Sequence, residues 1–191
     1  MKARPYAQSG SAAPFHIYGT KRIGELYKRM RDVDDDCENL DDCVKLSEIY
    51  PFQPFSVLNY RVTPLRAAHD PAECCLIFLI EDEAGKTLLY GNDTAYFPKE
   101  TWEQLRGHRL DLVSLDCTMG ILGDGATHMG WNGDVRTKER LEAMGCVHDN
   151  TVFILNHFSH NCGHGLSHEE MEALAAPKGF LVAYDGFTAE V

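Results

Sequence analysis

Three short apolar runs in the chain each end, within a few residues, on a side chain able to bind metal. Residues 61–65 lead to His69, residues 87–90 lead to Asp93, and residues 151–155 lead to His157, with His160 three positions on. Two imidazoles and a carboxylate are a common ligand set for zinc, manganese or iron. Buried strands hold their ends rigidly, so a strand end is where ligands from distant sequence can converge.

Each segment has an ordinary reading beside the metal-binding one. His157 and His160 sit with Cys162 and His164 in one short stretch, which is dense in borderline and soft ligands but could also be a polar loop capping backbone groups. Asp93 follows Asn92, and an Asn-Asp pair is also ordinary turn chemistry. His69 precedes Asp70 and Pro71, where the aspartate could orient the imidazole or simply start a turn. His128 lies in a glycine-rich stretch, Ala126-Thr127-His128-Met129-Gly130-Trp131, and is a candidate general acid for an alkoxide leaving group. His16, His108, His148 and His168 have no supporting context and read as structural or exposed. The acidic stretch 32–42 lacks the calcium-loop pattern and reads as solvated.

The elements that must position these residues follow from the periodicity. Residues 1–14 read as an irregular start. A short strand over 15–18 leads to a helix that Thr20 can cap, with Ile23, Leu26, Tyr27 and Met30 at helical spacing. From Val44 the period changes to two, and strands are predicted over 55–65, 74–80 and 87–90, with the hairpin turn of residues 81–86 before the last. After Asp93 helices and strands alternate: a helix over 98–105, a strand over 110–116, a long glycine-rich loop over 119–133, a helix with Asp134 as its candidate cap, and a strand over 151–155. Ser167-His168-Glu169-Glu170 matches a capping box opening a further helix, and a last strand covers 180–184. The sum is a mainly antiparallel first half joined to a βαβα second half, an α/β (α+β) domain over 15–191.

Composition narrows the function classes. The chain has 191 residues, 44% hydrophobic and 25% charged, which suits one domain with a real core. A net charge of −11 argues against bulk binding to nucleic acid or to an anionic membrane, but not against a phosphoester substrate, because a metal can supply local positive charge. The longest apolar stretch, residues 74–80, is too short to span a bilayer. Seven cysteines without CxxC spacing, and a start with no apolar signal segment, lead to the expectation of a reducing cytoplasm.

These segments, in this order, resemble the metallo-β-lactamase-fold hydrolases over nearly the whole chain, from Phe15 to Val191. The stretch Leu155-Asn156-His157-Phe158-Ser159-His160-Asn161, the later Tyr184-Asp185-Gly186, and Leu115-Asp116-Cys117 leading to His128 are similar to the phosphoribosyl cyclic phosphodiesterase branch. The resemblance implies an αββα sandwich of mixed sheets with flanking helices. It implies that His69, Asp93 and His157 bind zinc or manganese, that His128 acts as general acid, and that His160 belongs to a separate structural metal site. The chain has no His-x-His-x-Asp-His, the signature of those hydrolases. The expectation is therefore a metal-dependent phosphodiesterase whose fold is incomplete at its N-terminal side and whose activity is impaired, acting on a small phosphoester, in a chain that is marginally stable, homo-oligomeric or dependent on a partner to cover the exposed sheet. Two other readings stay open: a non-catalytic structural or interaction protein of that fold, and a thioester or lactone hydrolase on the same scaffold.

Overall fold

The computed structural model describes residues 14–33, 44–159 and 166–191. The stretches expected to be irregular (1–14) and acidic (32–42) lie largely outside the described residues, and His160, Cys162 and His164 lie outside them entirely. Two compact units form, residues 1–50 and residues 51–191.

In the first unit, strand β1 (Phe15–Gly19) leads into helix α1 (Lys21–Val33) and then strand β2 (Val44–Glu48). The two strands pair in parallel, Phe15 opposite Val44 and Gly19 opposite Glu48. The period of two from Val44 therefore marks a strand, but one that joins β1 and not the antiparallel run that follows. A helix between them supplies the crossover that parallel pairing needs.

The second unit is one seven-stranded mixed sheet whose spatial order equals its chain order. Its strands are β3 (Phe55–Val57), β4 (Tyr60–Arg66), β5 (Leu76–Glu81), β6 (Thr87–Gly91), β7 (Leu112–Asp116), β8 (Val152–Asn156) and β9 (Phe180–Val182). The strand expected over 55–65 is two strands, because Leu58 takes a left-handed φ of 51° and turns the chain between β3 and β4. Pairing is antiparallel from β3 to β6 and parallel from β6 to β9. Helices α2 (Lys99–Leu105), α3 (Trp131–Ala143) and α4 (His168–Ala175) carry the three parallel connections. Among the described residues, no helix is long and apolar enough to cross a membrane.

Burial follows the pairing. On β5, Ile77 and Leu79 are buried and alternate with less buried neighbours, as on a strand with one core face. On β7, the four residues Val113–Asp116 are all buried, as expected for a central parallel strand. The sheet residues Leu65, Leu89, Leu115 and Leu155 share one core with Trp102 and Leu105 of α2, Leu141 of α3 and Met171 of α4. Gly91 is required at the end of β6, because a Cβ there would meet Phe97 Cζ at 3.0 Å and the Ser114 carbonyl at 3.1 Å.

Helix starts use different chemistry. Ser167 and Glu170 form the expected capping box, with Glu170 N–H donating to Ser167 Oγ (3.2 Å) and Ser167 N–H to Glu170 Oε2 (2.7 Å). Helix α3 departs from expectation: it begins at Trp131 with Gly130 at its N-cap, and Asp134 is buried in its first turn. The capping acceptor comes instead from Asp124, whose Oδ1 accepts from Gly130 N–H (3.2 Å) and Gly133 N–H (2.8 Å). Asp134 has no well-directed hydrogen bond, although the Cys117 thiol is beside it, and burial holds its carboxyl well above the usual carboxylate range, favouring the protonated form.

At the opposite edge of the sheet, Asp111 accepts from Thr87 N–H (2.9 Å) and Lys86 Nζ (3.0 Å) and lies 3.4 Å from His148 Nε2. Burial alone would push its carboxyl up, but the Thr87 N–H and the Lys86 ammonium outweigh it and hold the group below the usual range. Asp111→Asn is expected to cost about 1–3 kcal/mol in chemical denaturation at pH 7, the range for a buried charge-assisted bond. With a lowered folded pKa, this contribution is full above the unfolded value of about 4 and is lost as pH falls through the folded value. The gap between wild type and variant should therefore close below about pH 4. A gap unchanged from pH 7 to pH 3 contradicts this role.

Candidate metal centre

Four strand ends converge because of register. β4, β6, β7 and β8 all run the same way, with Gly91 beside Leu115 and Asp116 beside Asn156. The segments that leave these strands carry His69, Asp93, Asp116 and His157 at one edge of the sheet. Ligand sites in such sheets lie at the carboxyl ends of the strands.

Asp116 is the floor of the site and is fully buried. Its Oδ2 accepts from Thr94 N–H (2.8 Å) and its Oδ1 from Thr118 N–H (2.9 Å). His128 Nδ1–H donates to the same Oδ2 at 2.9 Å. Thr94, also fully buried, ties the neighbouring loops together: its Oγ1 accepts from Ala68 N–H (2.9 Å) and its carbonyl from Met129 N–H (3.0 Å). One residue thereby fixes the segments next to His69 and His128. The glycine-rich loop is pinned further by Gly125 N–H to the His128 carbonyl (2.9 Å) and by the Asp124 cap, whose Oδ2 also pairs with Arg136 at 2.5 Å.

The hydrogen-bond partners set the tautomers. His69 Nδ1 meets the Thr127 carbonyl at 3.1 Å, and a carbonyl only accepts, so Nδ1 carries the proton. The Thr118 hydroxyl donates to the His157 carbonyl (2.8 Å), so its contact with His157 Nδ1 (2.7 Å) takes a proton from the ring. His128 Nδ1 donates to Asp116. In all three imidazoles these bonds engage Nδ1, which leaves Nε2 as the nitrogen able to bind metal or carry a proton.

Around this floor, Asp93, Asp116, His128 and His157 each offer a ligand atom, all within 4.8 Å of one another. The Asp93 carboxylate is central: Oδ1 lies 3.6 Å from His69 Nδ1, 3.6 Å from His128 Nδ1 and 3.9 Å from His157 Nε2. His69 borders the cluster through Asp93 and through its ring, 4.8 Å from that of His128. His128 and His157 stack at 5.7 Å. Imidazole and carboxylate donors so arranged suit a borderline divalent cation such as zinc or manganese. Asp93 and His157 both hold left-handed backbone, φ 59° and 60°, which swings each side chain off its strand axis.

The sequence reading singled out His69, Asp93, His128 and His157, and the structure brings these four together. It did not assign Asp116 a place in the site, nor Thr94 or Thr118. Asp116 carried the same signal as the others, an acidic residue closing an apolar strand. Thr94 reaches Asp116 across 22 residues of sequence and the Thr118 hydroxyl reaches His157 across 39, which no local pattern reveals.

Solved structures share this architecture. The metallo-β-lactamase fold protein YhfI from Bacillus subtilis superposes with a TM-score of 0.66 at 19% identity, over 95% of this chain and 67% of that one. Zn(2+)-bound PqqB from Methylobacterium extorquens gives 0.59 at 20% identity, over 93% and 63%. Isothiocyanate hydrolase from Delia radicum gut bacteria gives 0.64 at 13% identity, over 97% and 70%. The chain thus spans about two thirds of the length of these structures. No curated protein matches it. The mixed sheet with flanking helices is the fold these proteins share, and a model of the beta-lactamase superfamily domain matches residues 4–158; the chain belongs to that superfamily.

Proposed function

We propose that the chain carries the reaction centre of a metal-dependent hydrolase acting on phosphoric diesters. The observation that supports it most is the pairing of two functions at one floor. Asp93 and His157 cluster with Asp116 and His128, with His69 at the border, and the His128 Nδ1 is held by the buried Asp116.

In this reading His69, Asp93 and His157 would hold the metal, which would supply Lewis-acid stabilisation and an activated water. A similar fold in Zn(2+)-bound PqqB is in keeping with zinc as that metal. His128 carries a proton at Nε2 to the leaving oxygen, and Asp116 stabilises the ring while it is doubly protonated. Thr118 aims His157 by its paired contacts to the ring and carbonyl. Water adds across the P–O bond, so one ester oxygen leaves as an alcohol and the phosphorus keeps the hydroxyl. Three donors plus water suit a single ion.

Elemental analysis of the full chain after zinc or manganese loading should give one ion per chain, with hydrolysis of bis(p-nitrophenyl) phosphate. Asp93→Ala or His157→Ala should weaken metal binding about 100-fold, at the upper end of what loss of a supporting group costs. A folded chain that takes up no metal overturns the reading in favour of a non-catalytic protein.

His128→Ala and Asp116→Asn separate proton transfer from metal binding. Each should lower kcat by roughly 100- to 10,000-fold for alkyl diesters, whose leaving oxygen needs a proton. The same variants should change p-nitrophenolate release far less, because that leaving group departs as an anion. Equal losses on both substrates, with metal content reduced, would make His128 a ligand instead.

Thr94→Val keeps the shape of the residue and removes the acceptor for Ala68 N–H. It should cost about 1–3 kcal/mol, as an unsatisfied buried donor does, and weaken metal binding through His69. Thermal unfolding with and without zinc checks this: the variant should lose part of the zinc-dependent rise in Tm. An unchanged rise would show that Thr94 does not position the site.

A further inference from the structure

We infer that the cavity beside the metal cluster is the subsite for an aryl or similarly flat apolar arm of the ester substrate. This rests on the hydrolase reading above. The cavity has a volume of about 370 Å³, and its walls include Ile121, Phe158, Leu166, Met171 and Val182. The open cleft over His69, Asp93, His128 and His157 is walled by the same Phe158 and Ser159, so the two spaces are neighbours across those two residues. A substrate with its phosphoryl group at the cluster can reach the cavity with its organic arm.

The lining decides the chemistry of that arm. Among the described residues that line it, none is a lysine, arginine, aspartate or glutamate. A second phosphate or a carboxylate on the arm would meet no counter-charge from these described residues beyond the His168 imidazole, which disfavours polyanionic arms. Its size is at the lower end of small-molecule pockets, room for one ring system and not for an extended chain. His168 gives the wall one polar edge. Its Nε2 is 3.3 Å from Glu172 and its ring meets Tyr184 edge-on at 5.5 Å, so the imidazole is held in place to meet a single polar group on the arm. Two walls come from regular elements. Ile121 lies in the 3₁₀ turn Gly120–Leu122, shortly after Thr118, while Met171 sits in α4 behind its capping box.

The probe is 2-naphthol, an apolar ring system with one hydroxyl, titrated into the full chain and followed by ¹H–¹⁵N NMR. Saturable shifts should centre on Ile121, Phe158 and Val182, with or without zinc. Ile121→Glu places a charge in the wall at a half-exposed position and should weaken 2-naphthol about tenfold or more. Leu166→Gln is an independent second variant with the same expected direction. With zinc bound, Ile121→Glu should raise KM for bis(p-nitrophenyl) phosphate about tenfold and leave kcat within about twofold, the signature of lost uniform binding. Shifts elsewhere, no binding, or unchanged 2-naphthol affinity in both variants overturns the subsite. If 2-naphthol binds as expected but no diester is hydrolysed, the cavity stands as a site for a flat apolar ring and the hydrolase reading falls. If diesters are hydrolysed with the same KM in both variants, the reverse holds.

Discussion

The site depends on one buried carboxylate. Asp116 is sealed from water, and an unpaired charge there would cost several kcal/mol. It is tolerated because donors arrive from three directions: Thr94 N–H from the segment after β6, Thr118 N–H from the segment after β7, and His128 from the glycine-rich loop. The dependence runs both ways. The carboxylate needs those donors, so the loops that supply them cannot drift apart without exposing the cost. Thr94 extends the constraint to the β4 end through Ala68, which brings His69 to the same centre.

The sheet makes this constraint affordable. Parallel pairing of β6, β7 and β8 puts their ends level, and β4 runs in the same sense two strands away from β6. A one-residue slip of β7 would turn Asp116 to the other face. The central strands resist this because their two faces differ: Val113, Leu115, Phe153 and Leu155 pack on one face in the apolar core, while Ser114 and Asp116 of β7 lie on the other. Core packing and site geometry are therefore one structural problem, solved by the same strands.

Much of this was legible in the sequence, for a definite reason. Strand-then-ligand is a local pattern, and it marked His69, Asp93 and His157 because the apolar run and the polar residue are adjacent in the chain. The capping box before α4 was legible on the same ground. What was not legible acts at a distance. Asp124 caps α3 from six residues upstream of Gly130, so Asp134 was the wrong choice of cap. Gly133 leaves room for that carboxylate, and a Cβ there would collide with it. The partner of β2 was likewise out of reach, since alternation identifies a strand but not the strand it pairs with.

The left-handed backbone at Asp93 and His157 shows where the folding energy goes. Each such residue costs about 1–2 kcal/mol relative to ordinary strand geometry. Aspartate tolerates the conformation better than most residues, but histidine gains less relief, and His157 keeps it because Thr118 grips both its carbonyl and its ring. A residue free to relax would follow β8 onward and point its imidazole away from the cluster. At Asp93 and His157 the strain falls where a side chain must leave its strand abruptly, and at His157 the Thr118 hydrogen bonds sustain it. That distribution is what a preorganised site requires: the cost is met during folding, by the buried core and the Asp116 network, before any ligand arrives.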